Sequence, residues 1–220
     1  MTRQDNPMPL IAGAIDLSIV MERLSRARPV FHSEADFQHA FAWVLHEMAP
    51  DLNIRLEVRQ AEREYVDLLC FGPYGRTVVE FKYFTRTWVG TDPATGEPFR
   101  LRNHEATDLG RQGFVFDIAR LERFCEADRA SNGLAIMLTN DQRLWQPAAT
   151  TKLTRDQAFR IHEGRTLSGL LRWGTEDSYH AGSERNLSGS YPITWRDYFS
   201  LDGKNGQLRW LAAAVEPRFE

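Results

Sequence analysis

Apolar residues recur along the chain with two different periods, and together these periods predict an α/β fold. Residues 33–36 resemble a capping box that opens a helix, and the apolar residues that follow it have helical spacing (Phe37, Phe41, Val44, Leu45 and Met48). Residues 66–71 and 78–82 are mostly apolar and flank the turn-forming run Gly72-Pro73-Tyr74-Gly75. We therefore expect a capped helix followed by an antiparallel hairpin.

Three charged residues interrupt the hairpin, and their positions predict a metal site. Glu80 and Lys82 share one face of their strand because strand residues alternate sides. If residues 73 and 74 form the turn centre, Asp67 lies opposite Glu80, with Cβ atoms about 4.5–5.5 Å apart. Two unneutralised carboxylates at that distance repel each other, so that one would take up a proton. Ligation of Mg²⁺ by both carboxylates would relieve the repulsion.

Further elements follow the hairpin. Residues 87–102 contain turn-forming pairs and predict an inserted hairpin or a long loop, and residues 110–124 and 134–138 predict a helix and a buried strand. Residues 159–162 alternate and are interpreted as a strand. Aromatic residues are frequent between 191 and 199, where core packing is the favoured role and base stacking the alternative.

The order Glu34, Asp67 and Glu80-Phe81-Lys82 resembles the PD-(D/E)xK nuclease superfamily, the restriction-endonuclease-like fold. Val66 stands where the family name has Pro. The resemblance implies a helix, hairpin strands, a second helix and a further strand in a central mixed sheet flanked by helices. It places this core at 31–140, after an N-terminal helical extension (1–30) and before a C-terminal α/β elaboration (141–220).

The resemblance also implies roles for individual residues. Asp67, Glu80 and the backbone carbonyl of Phe81 would hold Mg²⁺, for which Mn²⁺ would substitute, and Lys82 would position the attacking water. Glu34 would hold a second metal directly or through water. Two alternatives stay open: Glu34 complements the helix dipole, and Lys82 forms a structural salt bridge to Asp67 or Glu80.

Composition narrows the choice of function without deciding it. The net charge of −3 over 220 residues argues against strong non-specific DNA binding. A local basic face is an alternative to a mixed-charge surface, with Arg100, Arg102, Arg111 and Gln112 as candidate substrate contacts. No apolar run reaches membrane-spanning length, and the two cysteines indicate buried thiols without a disulfide framework.

These features predict a cytoplasmic, magnesium-dependent nuclease. DNA is favoured over RNA as the substrate. A role in repair, restriction or defence is implied by the resemblance alone, and homodimerisation is left open. One alternative is a catalytically inactive relative that binds nucleic acid or protein. Another is an α/β protein in which the acidic triplet is accidental.

Overall fold

The computed structural model describes residues 9–62, 64–127, 131–148, 152–174 and 181–217. In chain order its elements are β1 (Leu10–Ile11), β2 (Ile15–Asp16), α1 (Leu17–Ala27), α2 (Glu34–Met48), β3 (Asn53–Ala61), β4 (Glu64–Gly72), β5 (Gly75–Phe84), β6 (Trp88–Thr91), β7 (Pro98–Leu101), α3 (Thr107–Ala127), β8 (Ser131–Thr139), α4 (Gln142–Trp145), β9 (Thr166–Leu171), β10 (Arg185–Pro192), β11 (Arg196–Ser200) and β12 (Gln207–Val215). Short 3₁₀ turns lie at Gln157–Phe159 and Ala181–Ser183.

A mixed sheet with strand order β11-β12-β8-β5-β4-β3 forms the centre of the molecule. β5 and β8 pair in parallel, while the other neighbouring strands of this sheet pair antiparallel. Side chains of α1 and α2 pack on one face of the sheet, and those of α3 pack on the other. The prediction of a central mixed sheet flanked by helices is therefore confirmed.

The predicted helix start and hairpin are both present. The Ser33 hydroxyl accepts a hydrogen bond from the Asp36 N–H (3.2 Å) and caps α2, whose apolar stripe is buried. β4 and β5 pair in the predicted register from Gly72↔Gly75 to Leu68↔Val79. The four-residue turn has fixed the register, as the sequence indicated.

The remaining elements confirm some predictions and correct others. The inserted hairpin is present as β6 and β7, the helix predicted over 110–124 spans Thr107–Ala127, and the strand predicted over 134–138 spans Ser131–Thr139. The strand predicted over 159–162 is wrong. Phe159 and Ile161 are buried, but the backbone there forms a 3₁₀ turn and then an irregular segment. Buried positions alternate in that segment without strand pairing, which explains the misleading pattern.

The terminal regions are joined closely to the core. Residues 1–8 of the predicted N-terminal extension lie outside the described residues, while α1 buries Leu17, Val20, Met21 and Leu24 in the same cluster as α2. β11 and β12 of the C-terminal elaboration extend the central sheet beyond β8. Both cysteines are buried, and neither forms a disulfide within the described residues. No helix in the described ranges is long and apolar enough to cross a membrane.

Candidate functional site

The candidate site lies where β4 and β5 separate. Their pairing ends at Leu68↔Val79, so that Asp67 and Glu80 are one step beyond the paired ladder and do not face each other as a bonded pair. β5 continues alongside β8 to Phe84, which leaves its other edge without a strand partner at this point. Two carboxylates take the place of the missing strand, because buried backbone N–H groups require acceptors.

Asp67 and Glu34 are those two carboxylates. The Phe81 N–H donates to Asp67 Oδ2 (2.7 Å), and the Tyr83 N–H donates to Glu34 Oε2 (2.7 Å). Since Phe81 and Tyr83 are two residues apart, both N–H groups point to the same edge of β5. The first turn of α2 and the middle of β4 therefore bring Glu34 and Asp67 together beside β5, as the sequence predicted.

The carbonyl of Phe81 lies at the same edge. A strand residue directs its N–H and its C=O to the same side, so this carbonyl points toward Asp67. It accepts a hydrogen bond from Lys82 Nζ (3.2 Å). The Asp67 carboxylate, the Phe81 carbonyl and the Lys82 ammonium thus occupy one small region.

Glu80 is almost completely buried on the α3 side of the sheet, with 1% of its surface exposed. Its Oε2 accepts a hydrogen bond from Arg120 Nη2 (2.5 Å), whereas its Oε1 has no hydrogen-bond partner among the described residues. Burial, followed by the carboxylates of Asp67 and Asp117, raises the pKa of Glu80 to about 9, against the opposing effect of Arg120. The Arg120 guanidinium therefore offsets only part of the effect of burial on Glu80.

Sequence reasoning missed two residues that complete the site, Asp117 and Arg120 of α3. The Asp117 carboxylate lies 2.9 Å from Lys82 Nζ and 3.0 Å from Arg120 Nη2. Burial raises the pKa of Asp117 to about 6 even though both cations lower it. A Cβ on Gly113 would lie 3.4 Å from Lys82 Cε, so the 113, 117 and 120 positions form one α3 face toward the site. The helical spacing of residues 113, 117 and 120 was the sequence signal that could have identified Asp117 and Arg120 as site residues.

The same electrostatic field acts on Lys82 and Glu34. Burial alone would lower the pKa of Lys82, but the carboxylates of Asp117 and Glu34 outweigh it, and the pKa is raised. Burial raises the pKa of Glu34, with Lys82 opposing the shift. Lys82 is therefore held as an ammonium. Its salt bridge is to Asp117, rather than to Asp67 or Glu80 as the structural alternative had it.

Negative charge exceeds positive charge at this place. Four carboxylates lie here, those of Glu34, Asp67, Glu80 and Asp117. Lys82 contacts Asp117, and Arg120 contacts Glu80 and Asp117. With all groups ionised, the carboxylates would outnumber these two cations by two. This excess equals the charge of one divalent cation.

The donor set fits a hard divalent cation, although protein side chains alone would not complete its coordination. Within the described ranges, no three His, Cys, Asp or Glu side chains form a metal-binding group. Mg²⁺ commonly binds through one or two carboxylates and keeps several water ligands. Asp67, the unpartnered oxygen of Glu80 and the Phe81 carbonyl would suffice on that pattern.

The predicted substrate contacts are dispersed. Arg100 of β7 and Arg102 just after it are exposed. Gln112 is half-buried in α3, while Arg111 is buried and donates to Asp156 Oδ2 (2.5 Å) and to the carbonyl of Arg143 (2.6 Å). Because the Arg111 guanidinium serves this internal ion pair, we leave it out of the candidate substrate contacts.

Comparisons with known proteins give no family assignment. No protein-family model, no curated protein and no solved structure matches this chain significantly. What the site does must therefore be inferred from its own chemistry.

Proposed function

We propose that the protein is a magnesium-dependent nuclease that hydrolyses phosphodiester bonds of DNA, and that its core is of the restriction-endonuclease-like type. The observation that supports this proposal most strongly is Glu80. Its Oε1 is buried without a hydrogen-bond partner in the described structure, and burial raises its pKa to about 9. Arg120 contacts the other oxygen, and a buried carboxylate whose second oxygen has no partner is costly unless a further cation binds it.

Mg²⁺ would be held by Asp67, Glu80 and the Phe81 carbonyl, with Glu34 as a candidate for a second ion. When bound, it would lower the pKa of a water molecule and polarise a phosphoryl oxygen. Mn²⁺ would take the same oxygen ligands. The proposed role of this divalent ion matches the excess of negative charge at the site.

Lys82 would act next to the reacting phosphate. Its ammonium already lies at the Phe81 carbonyl and is oriented by Asp117 at 2.9 Å. An ammonium has three donors. With Asp117 still bound, Lys82 would turn its other two N–H groups from the Phe81 carbonyl to the attacking water and to a phosphoryl oxygen as negative charge increases there. Asp117 does not touch the substrate in this scheme and is a positioning residue.

Nicking of supercoiled plasmid in Mg²⁺ or Mn²⁺ tests the proposal, with chelation by EDTA as the metal-free control. Asp67→Ala and Lys82→Ala should abolish cleavage while the thermal unfolding profile shows a folded protein. Lys204→Ala, in an exposed turn, is the matched control and should cut like wild type. Cleavage by both site variants at the wild-type rate would refute the assignment.

One observation favours a second candidate, a catalytically inactive relative that binds nucleic acid. Arg120 already contacts the Glu80 and Asp117 carboxylates, so that internal ion pairs compensate part of the negative charge. An inactive protein would bind DNA in the plasmid assay without nicking it, whatever metal is supplied.

A further inference from the structure

A cavity of about 640 Å³ opens directly beside the site. It lies between α3, the start of β4 and β10, and its lining includes Phe116, Asp117, Arg120, Arg123, Arg185 and Asn186. Asp117 and Arg120 belong both to this lining and to the carboxylate cluster, so the cavity reaches the two side chains that flank Lys82 and Glu80. Its volume is within the range of ligand-binding sites.

Two arginines from different elements, Arg123 of α3 and Arg185 of β10, line the cavity. The Arg185 guanidinium stacks on the Phe116 ring, 3.5 Å from its centroid, and its Nη1 donates to the Glu184 carbonyl (2.6 Å). These two contacts orient its other donors. Burial, and then the nearby Arg123 guanidinium, lower the pKa of Arg185. Like charges at this proximity repel, and a bound anion between them would relieve the repulsion.

Four acids also line the cavity, namely Glu64, Asp117, Glu122 and Glu126, and the first three of them have partners within the protein. The Glu122 carboxylate is buried and accepts hydrogen bonds from the backbone of residues 188 and 189 (3.0 and 2.6 Å) and from the Tyr191 hydroxyl (2.7 Å). Its charge is therefore used to hold β10 against α3. Glu64 pairs with Arg123 at 2.8 Å, and Glu126 is exposed. Glu64 is thus the acid that competes directly for a cavity arginine.

We propose that this cavity binds the phosphodiester backbone of one DNA strand, with Arg123 and Arg185 as phosphate contacts, and guides the strand to Glu80. The inference rests on the proposed nuclease function, because it identifies the path of that enzyme's substrate. Arginine suits the role because its fork of donors matches phosphate oxygens. A duplex, whose major groove alone is about 12 Å wide, is too large for a cavity of this volume.

Binding of a fluorescein-labelled single-stranded DNA, followed by anisotropy in EDTA, tests the proposal without cleavage. Arg123→Gln and Arg185→Gln should each weaken binding by roughly five- to tenfold. Each should also make the slope of log binding constant against log salt concentration shallower by about 0.7, the value for one phosphate contact on a single strand. Glu64→Gln should tighten binding, since it releases Arg123. Arg23→Gln is the matched control, because Arg23 forms a similarly exposed ion pair with Glu47 on the α1–α2 surface.

Each outcome decides the proposal. Wild-type affinity and salt slope in both cavity variants would overturn it, as would tighter binding of the matching duplex or no DNA binding at all. Arg185→Lys guards against misfolding, because it keeps the charge but loses the stacked fork. A plasmid assay on the same proteins separates the two proposals: cleavage without dependence on Arg123 and Arg185 refutes only the cavity, whereas arginine-dependent binding without cleavage refutes only the nuclease.

Discussion

Removal of the Glu80 charge by Glu80→Gln should change how the stability of the metal-free protein depends on pH. The pKa of Glu80 is about 9 in the folded chain, against an ordinary value of 4.5. Between these two values the folded state keeps the proton and the unfolded state loses it. The stability contribution is therefore complete below about pH 4.5 and is lost progressively as the pH rises toward 9.

The magnitude follows from linkage. Each pH unit in this window costs about 1.36 kcal/mol. Asp117, with its pKa raised to about 6, titrates mainly at lower pH, so the interval from about pH 6.5 to 8.5 reports chiefly on Glu80. Wild type should lose about 2.7 kcal/mol of unfolding free energy over that interval beyond any loss in Glu80→Gln. Against a typical total of about 5–15 kcal/mol, such a difference is measurable.

Chemical denaturation in EDTA at several pH values measures this difference. Subtracting the Glu80→Gln curve from that of wild type removes the contributions of the other titrating groups. A second arm adds Mg²⁺ near pH 8.5, where about 2.7 kcal/mol of stabilisation is expected at one hundred times the dissociation constant, and only for wild type. Parallel pH curves for the two proteins would refute the reasoning about Glu80. Equal stabilisation by Mg²⁺ would refute its role as a ligand.

Two further predictions concern packing outside the carboxylate cluster, one beside the cavity and one in the turn between β11 and β12. Glu122→Ala should lower the unfolding free energy by about 3 kcal/mol, because three donors of β10 lose a charged acceptor. Glu122→Gln should lower the unfolding free energy less. If urea denaturation shows equal stability for wild type and both variants, Glu122 does not hold β10 against α3. Gly206→Ala should destabilise by about 1–3 kcal/mol, since the new Cβ would collide with the backbone carbonyl of Leu201. Gly182→Ala is its control, because a Cβ there meets nothing within 4 Å, and an unchanged melting temperature in Gly206→Ala would contradict the expected collision.

Local signals in the sequence were enough to predict the hairpin and the helix before it. The short turn at residues 72–75 fixes the strand register, and the Ser33 cap fixes where α2 begins and hence where Glu34 lies. The sequence could not indicate that the paired ladder ends at Leu68↔Val79. That end depends on the Asp67 carboxylate accepting a backbone hydrogen bond of β5, which is a tertiary contact.

The residues that sequence reasoning missed depend on long-range packing. Asp117 and Arg120 are three residues apart on α3, an arrangement that is equally typical of a solvated helix face. Only the docking of α3 against β5 places them beside Lys82 and Glu80, with Asp117 buried and Arg120 partly buried. Likewise, β12 pairs with β8 across more than seventy residues of chain, and no local pattern specifies that partner. The irregular segment after Phe159 was misread because its buried residues alternate as they would in a strand.

The arrangement of charges argues that α3 and the hairpin are one functional unit. If the site served stability alone, apolar residues in place of Glu80 and Asp117 would avoid the large cost of desolvating two carboxylates. A buried ion pair seldom stabilises a protein more than well-packed apolar residues at the same positions. Instead, Arg120 links the two carboxylates, and Lys82 extends from Asp117 to the Phe81 carbonyl. This chain of contacts fixes the ammonium next to the carboxylates while leaving one Glu80 oxygen unpartnered in the described structure. On the proposed function, that unpartnered oxygen would bind the divalent cation and the ammonium would face the phosphate.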